Sequence, residues 1–499
     1  MKKYILFRTL RSIFSILVVV TIAFLMVYTL VPRHRVFSGD PLIQKLTSKP
    51  DDLAHYKNSV LEELGYIDFF EQKDICAELA EENGANYTSC MAVESTEVQS
   101  WITAHEDDWT VVKYPVSGLY YAYRDIPIIE RVARWYSNFI YFDNTNAVTD
   151  VDNPNLDRKI YIGKDLAGMP AVKCSGCLNK YLLYVDGIFP YVHQNWIMFN
   201  MGVSYPAFAG IPVLNVINDP QGVYSYKDIT FETGITMSSP INEHKCYYKP
   251  TNALDRLDRN KFNDNYASCA YNLSDPSMLS LSFTIGIFAL LFSYFIGIPL
   301  GIAMAANKGK LFDKIGLIFV TVMFSIPSLA FIYFVRYGNL AILGLPDKFP
   351  TFGANNPLSY LSPIVILGLL GISGLIVWVR RYMIDQSTSD YVKFARAKGL
   401  SQSEIFTKHI LRNAIIPIAQ GLPAAIIATL GGAVMTETVF AAPGMGKMLP
   451  DAVQVYNNPM IIALTFIFTV LSIFSVFAGD ILVTYIDPRI SLSTKGGRK

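Results

Sequence analysis

Six stretches of twenty or more residues contain no Asp, Glu, Lys or Arg and are strongly apolar: Ser12–Pro32, Pro276–Asn307, Ile315–Val335, Phe349–Val379, Asn413–Thr436 and Ala452–Gly479. A helix rises about 1.5 Å per residue, so about 20 apolar residues cross the roughly 30 Å of bilayer hydrocarbon. Each stretch therefore predicts one spanning helix. The composition agrees: 52% hydrophobic is too apolar for a soluble chain, and 17% charged is too polar for one lying wholly in lipid.

The polar residues are concentrated between the first and second spans. Residues 33–275 carry 32 acids against 21 bases. One uncharged stretch there, Gly187–Asn218, is interrupted by His193, Gln194, Asn195, Asn200 and three prolines, and reads as buried core of a folded domain instead of a span. The chain divides into an N-terminal tip and first span (1–32), an insert domain (33–275), a five-span core (276–487) with a basic loop at 380–413, and a tail (488–499).

Basic residues in short loops favour the cytoplasm. They occur at the N-terminus (Lys2, Lys3, Arg8, Arg11), between spans two and three (Lys308, Lys310, Lys314), between spans four and five (Arg380, Arg381, Lys393, Arg396, Lys398, Lys408, Arg412) and in the tail (Lys495, Arg498, Lys499). Six crossings place all four segments on one side. Both termini are then expected in the cytoplasm of a multi-pass cell-membrane protein, with the insert outside. The first apolar run is too long for a signal peptide and no small-x-small site follows it, so an uncleaved anchor is expected. All six cysteines (Cys76, Cys90, Cys174, Cys177, Cys246, Cys269) lie in the insert. An even count on an oxidising side predicts at least one disulfide, with the pairing left open. The Cys174-Ser-Gly-Cys177 spacing also admits a redox or zinc pair, but no second ligand pair accompanies it, so no metal is expected.

The loop after the fourth span is the most informative segment: Asp390-Tyr-Val-Lys-Phe-Ala-Arg-Ala-Lys-Gly399-Leu-Ser-Gln-Ser-Glu404-Ile-Phe-Thr-Lys-His409-Ile-Leu-Arg-Asn413. Ser389 is placed to cap a short helix, and Gly399 to end it in a left-handed conformation. Ser401 and Glu404 form a capping box that starts a second helix running into the membrane. The result is a small, rigid, basic knob.

This loop resembles the EAA loop of the permease subunits of binding-protein-dependent ABC importers, in the form found in the peptide branch (Ami/Opp type). Lys393-Phe394 replaces the general Glu-Ala of that motif. Other segments resemble the same family: Thr436-Glu437-Thr-Val-Phe440-Ala-Ala-Pro443-Gly444-Met-Gly446, Asp480 to Asp487-Pro-Arg489, Leu61-Glu-Glu-Leu-Gly65 and Gly202-Val-Ser-Tyr-Pro206. Long inserts resemble those of Gram-positive peptide permeases. The resemblance implies an all-α polytopic fold of six transmembrane helices with a large extracellular mixed α/β insert between helices 1 and 2. It implies that Tyr391, Ala395, Arg396, Ala397, Lys398, Gly399, Ser401, Glu404, His409, Arg412 and Asn413 form a coupling surface for ATPase subunits, with Ala395, Ala397 and Gly399 allowing close approach. Ser325, Pro327, Glu437 and Asp480 are candidates for the translocation pathway; capping is the alternative for Glu437 and Asp480, and for Ser325 and Pro327 a purely structural helix kink is favoured over a pathway contact. The implied partners are a second homologous permease, two cytoplasmic ABC ATPases, an extracellular peptide-binding lipoprotein and membrane lipid, with no nucleic acid. Oligopeptide import is the leading expectation; dipeptide or nickel import and a membrane-anchored sensor are the rivals.

No phosphate loop occurs, because the Gly-Lys pairs at 163–164, 309–310 and 446–447 are followed by Asp165, Leu311 and Met448. The chain is therefore expected to be no enzyme and to bind no cofactor, with ATP and Mg²⁺ used by its partners.

Overall fold

The computed structural model describes residues 2–79, 85–105, 107–188 and 190–486. The tail 488–499 and the closing Asp487-Pro-Arg489 motif lie outside the described residues. Among the described residues five helices are long and apolar enough to cross a bilayer, six if one bent helix pair counts as a span: Leu6–Leu30, Met278–Ala306, Leu358–Ser387, Gln402–Phe440 and Asn458–Ile486.

The first of these belongs to α1 (Lys2–Leu30), which leads into the insert. The insert is built of small units. Strands β1 (Ile67–Glu71), β2 (Thr110–Lys113) and β3 (Tyr120–Asp125) form an antiparallel sheet in the order β1-β3-β2. Helix α2 (Ile128–Ser137) follows, then β4 (Ile140–Phe142). A four-stranded antiparallel sheet comprises β5 (Lys159–Lys164), β6 (Pro170–Ser175), β7 (Tyr181–Val185) and β8 (Val192–Gln194). Strand β9 (Ile197–Phe199) returns to pair with β4. The six cysteines are joined as Cys76–Cys90, Cys174–Cys177 and Cys246–Cys269, each bridge within one local unit of the insert.

The stretch Gly187–Asn218 is no span, but neither is it only the interior of the insert. Its helix α3 (Val213–Asn218) buries Val213, Val216 and Ile217 against Met278, Leu430 and Met460 of the membrane helices and against Met445. Apolar residues there dock the insert onto the bundle. Polar contacts add to this: Asn458 donates to the Tyr66 hydroxyl at 2.6 Å, and Asn457 to the Ser204 hydroxyl at 2.8 Å.

In the bundle, α4 (Met278–Ala306) packs along α7 (Leu358–Ser387) through glycine. A Cβ on Gly301 would sit 2.7 Å from Val379, and one on Gly368 would sit 3.0 Å from the Ala289 carbonyl. In lipid, helices gain little from the hydrophobic effect, so close backbone approach carries the association.

The expected single span over Ile315–Val335 is broken. The chain forms α5 (Leu311–Ser325) and α6 (Ser328–Leu343), bent by 106°. Pro327 has no N–H to donate, and it forces the preceding Ile326 out of helical geometry to φ −81°, ψ 126°. At the near end of α5, Asp313 is buried and receives both Nε and Nη2 of Arg380, at 2.7 and 2.8 Å. Arg380, one of the basic loop residues, is thus paired inside the fold.

Candidate ATPase-coupling surface

After α7 the chain turns into α8 (Asp390–Ala397). Ser389 occupies the cap position, but its side chain makes no capping bond. Its carbonyl instead accepts from the N–H groups of Val392 and Lys393, at 3.1 and 3.4 Å. The acid at Asp390 is paired with Lys393 at 2.8 Å, which holds its carboxyl below the usual range. Tyr391 donates to the Gln386 side chain at 2.8 Å and anchors the start of the helix.

Helix α8 has two faces. Val392 and Ala395 are buried against Val379, Met383, Ile405, Ile410, Ala414 and Ile418. Lys393, Phe394, Arg396, Ala397, Lys398 and Gly399 are exposed. The expectation for Ala395 is therefore corrected: its small side chain fits the chain's own interior and does not face outward. Phe394 is 70% exposed on the opposite face. In the sequence Phe394 stands out only as a departure from the motif, although an aromatic among basic residues on a short helix marks it.

Gly399 ends α8 at φ +77°. Its N–H bonds the Arg396 carbonyl at 2.9 Å, and the Leu400 N–H bonds the Ala395 carbonyl at 3.3 Å. These two bonds close a Schellman turn and satisfy the last carbonyls of the helix. Ser401 and Glu404 then form the capping box, each side chain meeting the other's backbone N–H. The next turn, Ile405–Ile410, is wound as a π-helix before α9 (Leu411–Phe440). Asn413 donates to the His409 carbonyl at 3.2 Å across this widened turn. Arg412 is exposed and His409 half-buried. The arrangement can present a rigid cationic surface with one aromatic anchor; among the described residues it holds no nucleophile–base pair.

The four pathway candidates do not gather together. Ser325 and Pro327 lie exposed at the α5–α6 break, the Ser325 hydroxyl donating to the Thr321 carbonyl at 2.8 Å. Glu437 is fully buried. Its carboxylate accepts from the Ser282 hydroxyl at 2.5 Å and from the Lys447 N–H at 2.8 Å, at the start of α10 (Met445–Gln454). A Cβ on Gly444 would lie 2.2 Å from that carboxylate, so the Pro-Gly-x-Gly spacing leaves room for it. Glu437 is buried in this chain and caps the start of α10. Asp480, on α11 (Asn458–Ile486), forms an ion pair with Arg8 of α1 and clamps those two helices.

The landmarks near Gly65 and Gly202 converge at the head of α11, where Tyr66 meets Asn458 and Gly202 lies against Pro459. In the insert, Asp165, Glu243 and His244 bring ligand atoms within 4.8 Å of one another. Their atoms are already engaged. His244 pairs with Asp165 at 3.1 Å, Tyr181 donates to Glu243 at 2.6 Å, and the N–H groups of Met169 and Leu166 donate to Asp165 and Glu243. No metal is assigned there.

Comparison with known proteins places these features. Residues 297–492 match the family described as binding-protein-dependent transport system inner membrane component. The chain is 42% identical, over 100% of both chains, to the oligopeptide transport system permease protein AmiC of Streptococcus pneumoniae. It is 31% identical to the dipeptide transport system permease protein DppB of Lactococcus lactis subsp. cremoris over 43% of this chain and 70% of the relative. The methionine ABC transporter MetNI superposes on 42% of this chain and 93% of its own, with 18% identity and a TM-score of 0.34, too low to bear on the argument. With AmiC matched from end to end, insert included, the chain belongs to the binding-protein-dependent transport system inner membrane components, the permease subunits of ABC importers.

Proposed function

We propose that this permease forms half of the translocation pathway of an ATP-driven oligopeptide importer in the cell membrane. The observation that carries the reading is the full-length likeness to AmiC, in which the large insert is matched as well as the core. Likeness to the dipeptide permease DppB covers only 43% of this chain, which favours oligopeptides over dipeptides.

In this reading a second permease completes the pathway, and an extracellular lipoprotein delivers peptide to it. Two cytoplasmic ATPases consume ATP and Mg²⁺ and drive the cycle through α8. Phe394 seats in an ATPase cleft, the exposed Arg396, Lys398 and Arg412 of the same loop meet acidic groups around it, and Gly399 fixes the angle of the helix. Aromatic residues and Arg are enriched in protein interfaces. Ser325 and Pro327, at the broken span, face the pathway. Both termini lie in the cytoplasm, with the insert outside.

The test is twofold. Deletion of the chain should abolish uptake of a labelled hexapeptide, and the tagged protein should co-purify with two ATPases and a second permease. Cysteines at Leu311 and Thr388 should resist an impermeant thiol reagent in intact cells, while one at Val151 in the insert should react. Unchanged hexapeptide uptake, or labelling at Thr388, would overturn the assignment.

A further inference from the structure

The insert carries a small apolar surface that its own fold does not cover. In the β4–β9 ribbon, Ile140 stands opposite Phe199 and Phe142 opposite Ile197. Directly paired residues share a face, and alternate residues along a strand return to it. The four side chains thus form one face, and they are 44%, 40%, 57% and 37% exposed. Trp196, adjoining β9, is 55% exposed. Neither Phe139–Phe142 nor Trp196–Phe199 contains a charge.

The position of this ribbon along the spans identifies what meets it. Helix α2 descends beside α1: Arg131 lies against the Tyr28 ring, Trp135 against Phe24, and the Tyr136 hydroxyl 2.8 Å from the Thr21 hydroxyl. Just beyond, the Phe139 ring lies 5.2 Å from Phe466 of α11 and 5.6 Å from Phe199 of the ribbon. Thr21 lies nine residues below the end of α1 at Leu30, or about 14 Å at 1.5 Å per residue. The 29 residues of α1 are about 43 Å long, some 13 Å more than the hydrocarbon needs. Even if all of that surplus stood above the bilayer, the tip of α2 would reach the hydrocarbon boundary. Phe466, eight residues below the start of α11, lies about 12 Å below it by the same reckoning.

We propose that α2 and the β4–β9 ribbon form a monotopic wedge seated in the outer leaflet, with Ile140, Phe142, Ile197 and Phe199 against acyl chains and Tyr136, Tyr141 and Trp196 at the headgroup level. Aromatic rings concentrate at that level because they are apolar bodies with polar edges. A rigid wedge beside α1 and α11 fixes the height and tilt of the insert over the bundle. The proposal rests on the orientation given above, in which the insert lies outside.

The test uses the complete transporter in lipid nanodiscs. A polarity-sensitive fluorophore is attached to a cysteine replacing Phe142 or Ile197, the native cysteines being paired. Brominated acyl chains should quench it as strongly as a label at Phe14 on α1, and aqueous iodide should quench it several-fold less than a label at Val151. Quenching by iodide to the level of Val151 would overturn the wedge, as would protection from both quenchers, which marks burial against a partner protein. Failure of the sidedness reading is separate: it appears as loss of Val151 labelling by an impermeant reagent in intact cells, whatever the lipid result.

Discussion

The hydroxyl of Ser282 on α4 donates to Glu437 at 2.5 Å and accepts from the backbone N–H of Met445 at 2.7 Å, so one buried side chain joins two helices and the start of a third. This contact is the physical content of the Glu-x-Val-Phe-x-x-Pro-Gly-x-Gly motif. Glu437→Ala would leave the Lys447 N–H and the Ser282 hydroxyl without an acceptor in a dry site, costing about 1–3 kcal/mol for each orphaned group. We expect a lower unfolding temperature in detergent and lower membrane abundance. Glu437→Gln, which retains an acceptor oxygen, should fall between. Hexapeptide uptake should follow abundance in both variants; a variant of normal abundance that cannot transport would restore a pathway role for Glu437.

Gly399 tests coupling. A β-branched residue at φ +77° meets a penalty of about 1–2 kcal/mol or shifts the helix. Nothing lies within 4 Å of a Cβ at that position, so crowding adds nothing. Gly399→Val should leave membrane abundance near normal, abolish peptide uptake and weaken co-purification of the ATPases. Asn356→Ser, in the opposite loop, serves as the control.

The two faces of α8 should respond differently. Ala395→Asp places a carboxylate among Val379, Ile405 and Ile410, where an unpaired charge is costly. Protease resistance of the loop should fall together with transport. Phe394→Ala removes an exposed ring and should leave the fold intact. If Phe394 is the anchor, a loss of about 2 kcal/mol would weaken ATPase binding roughly 30-fold. Equal ATPase retention by Phe394→Ala and wild type would place the anchor elsewhere.

The disulfides are open to direct measurement. Non-reduced protein should resist alkylation at all six cysteines and gain six labels after reduction. Cys246→Ser with Cys269→Ser opens a bridge of sequence separation 23, with an expected loss of roughly 3–4 kcal/mol in the insert on a chain-entropy argument.

Acid should loosen the underside of the insert. Asp68 accepts from Arg134 and Arg124, and the Arg134 contact foremost holds its carboxyl below the usual range. A depressed acid contributes stability above its unfolded pKa of about 4, and that stability is lost as pH falls through the lower folded value. The stability of the insert should therefore decline below about pH 4. Asp68→Asn should flatten that decline while lowering stability at neutral pH.

Much of this protein is local and was open to the sequence. Apolar length marked the long helices, because a bilayer imposes a fixed length on each. The stop of α8 and the start of the next helix were equally plain: Gly399, Ser401 and Glu404 act through backbone groups a few residues away, and such contacts need no distant partner, whereas the Ser389 side chain expected to cap α8 makes no capping bond. What the tertiary structure decided involves partners far along the chain. Only packing shows that Ala395 faces inward while Phe394 faces out, since both suit a short amphipathic helix. Glu437 and Ser282 are 155 residues apart, and no spacing rule connects them. Pro327 signalled a disturbance, but whether it kinks one span or divides it depends on what packs beside the bend. The apolar stretch Gly187–Asn218 announced burial without saying against what; its helix is buried by the membrane bundle, because a run of side chains carries its hydrophobicity but not the address of the surface that will cover it.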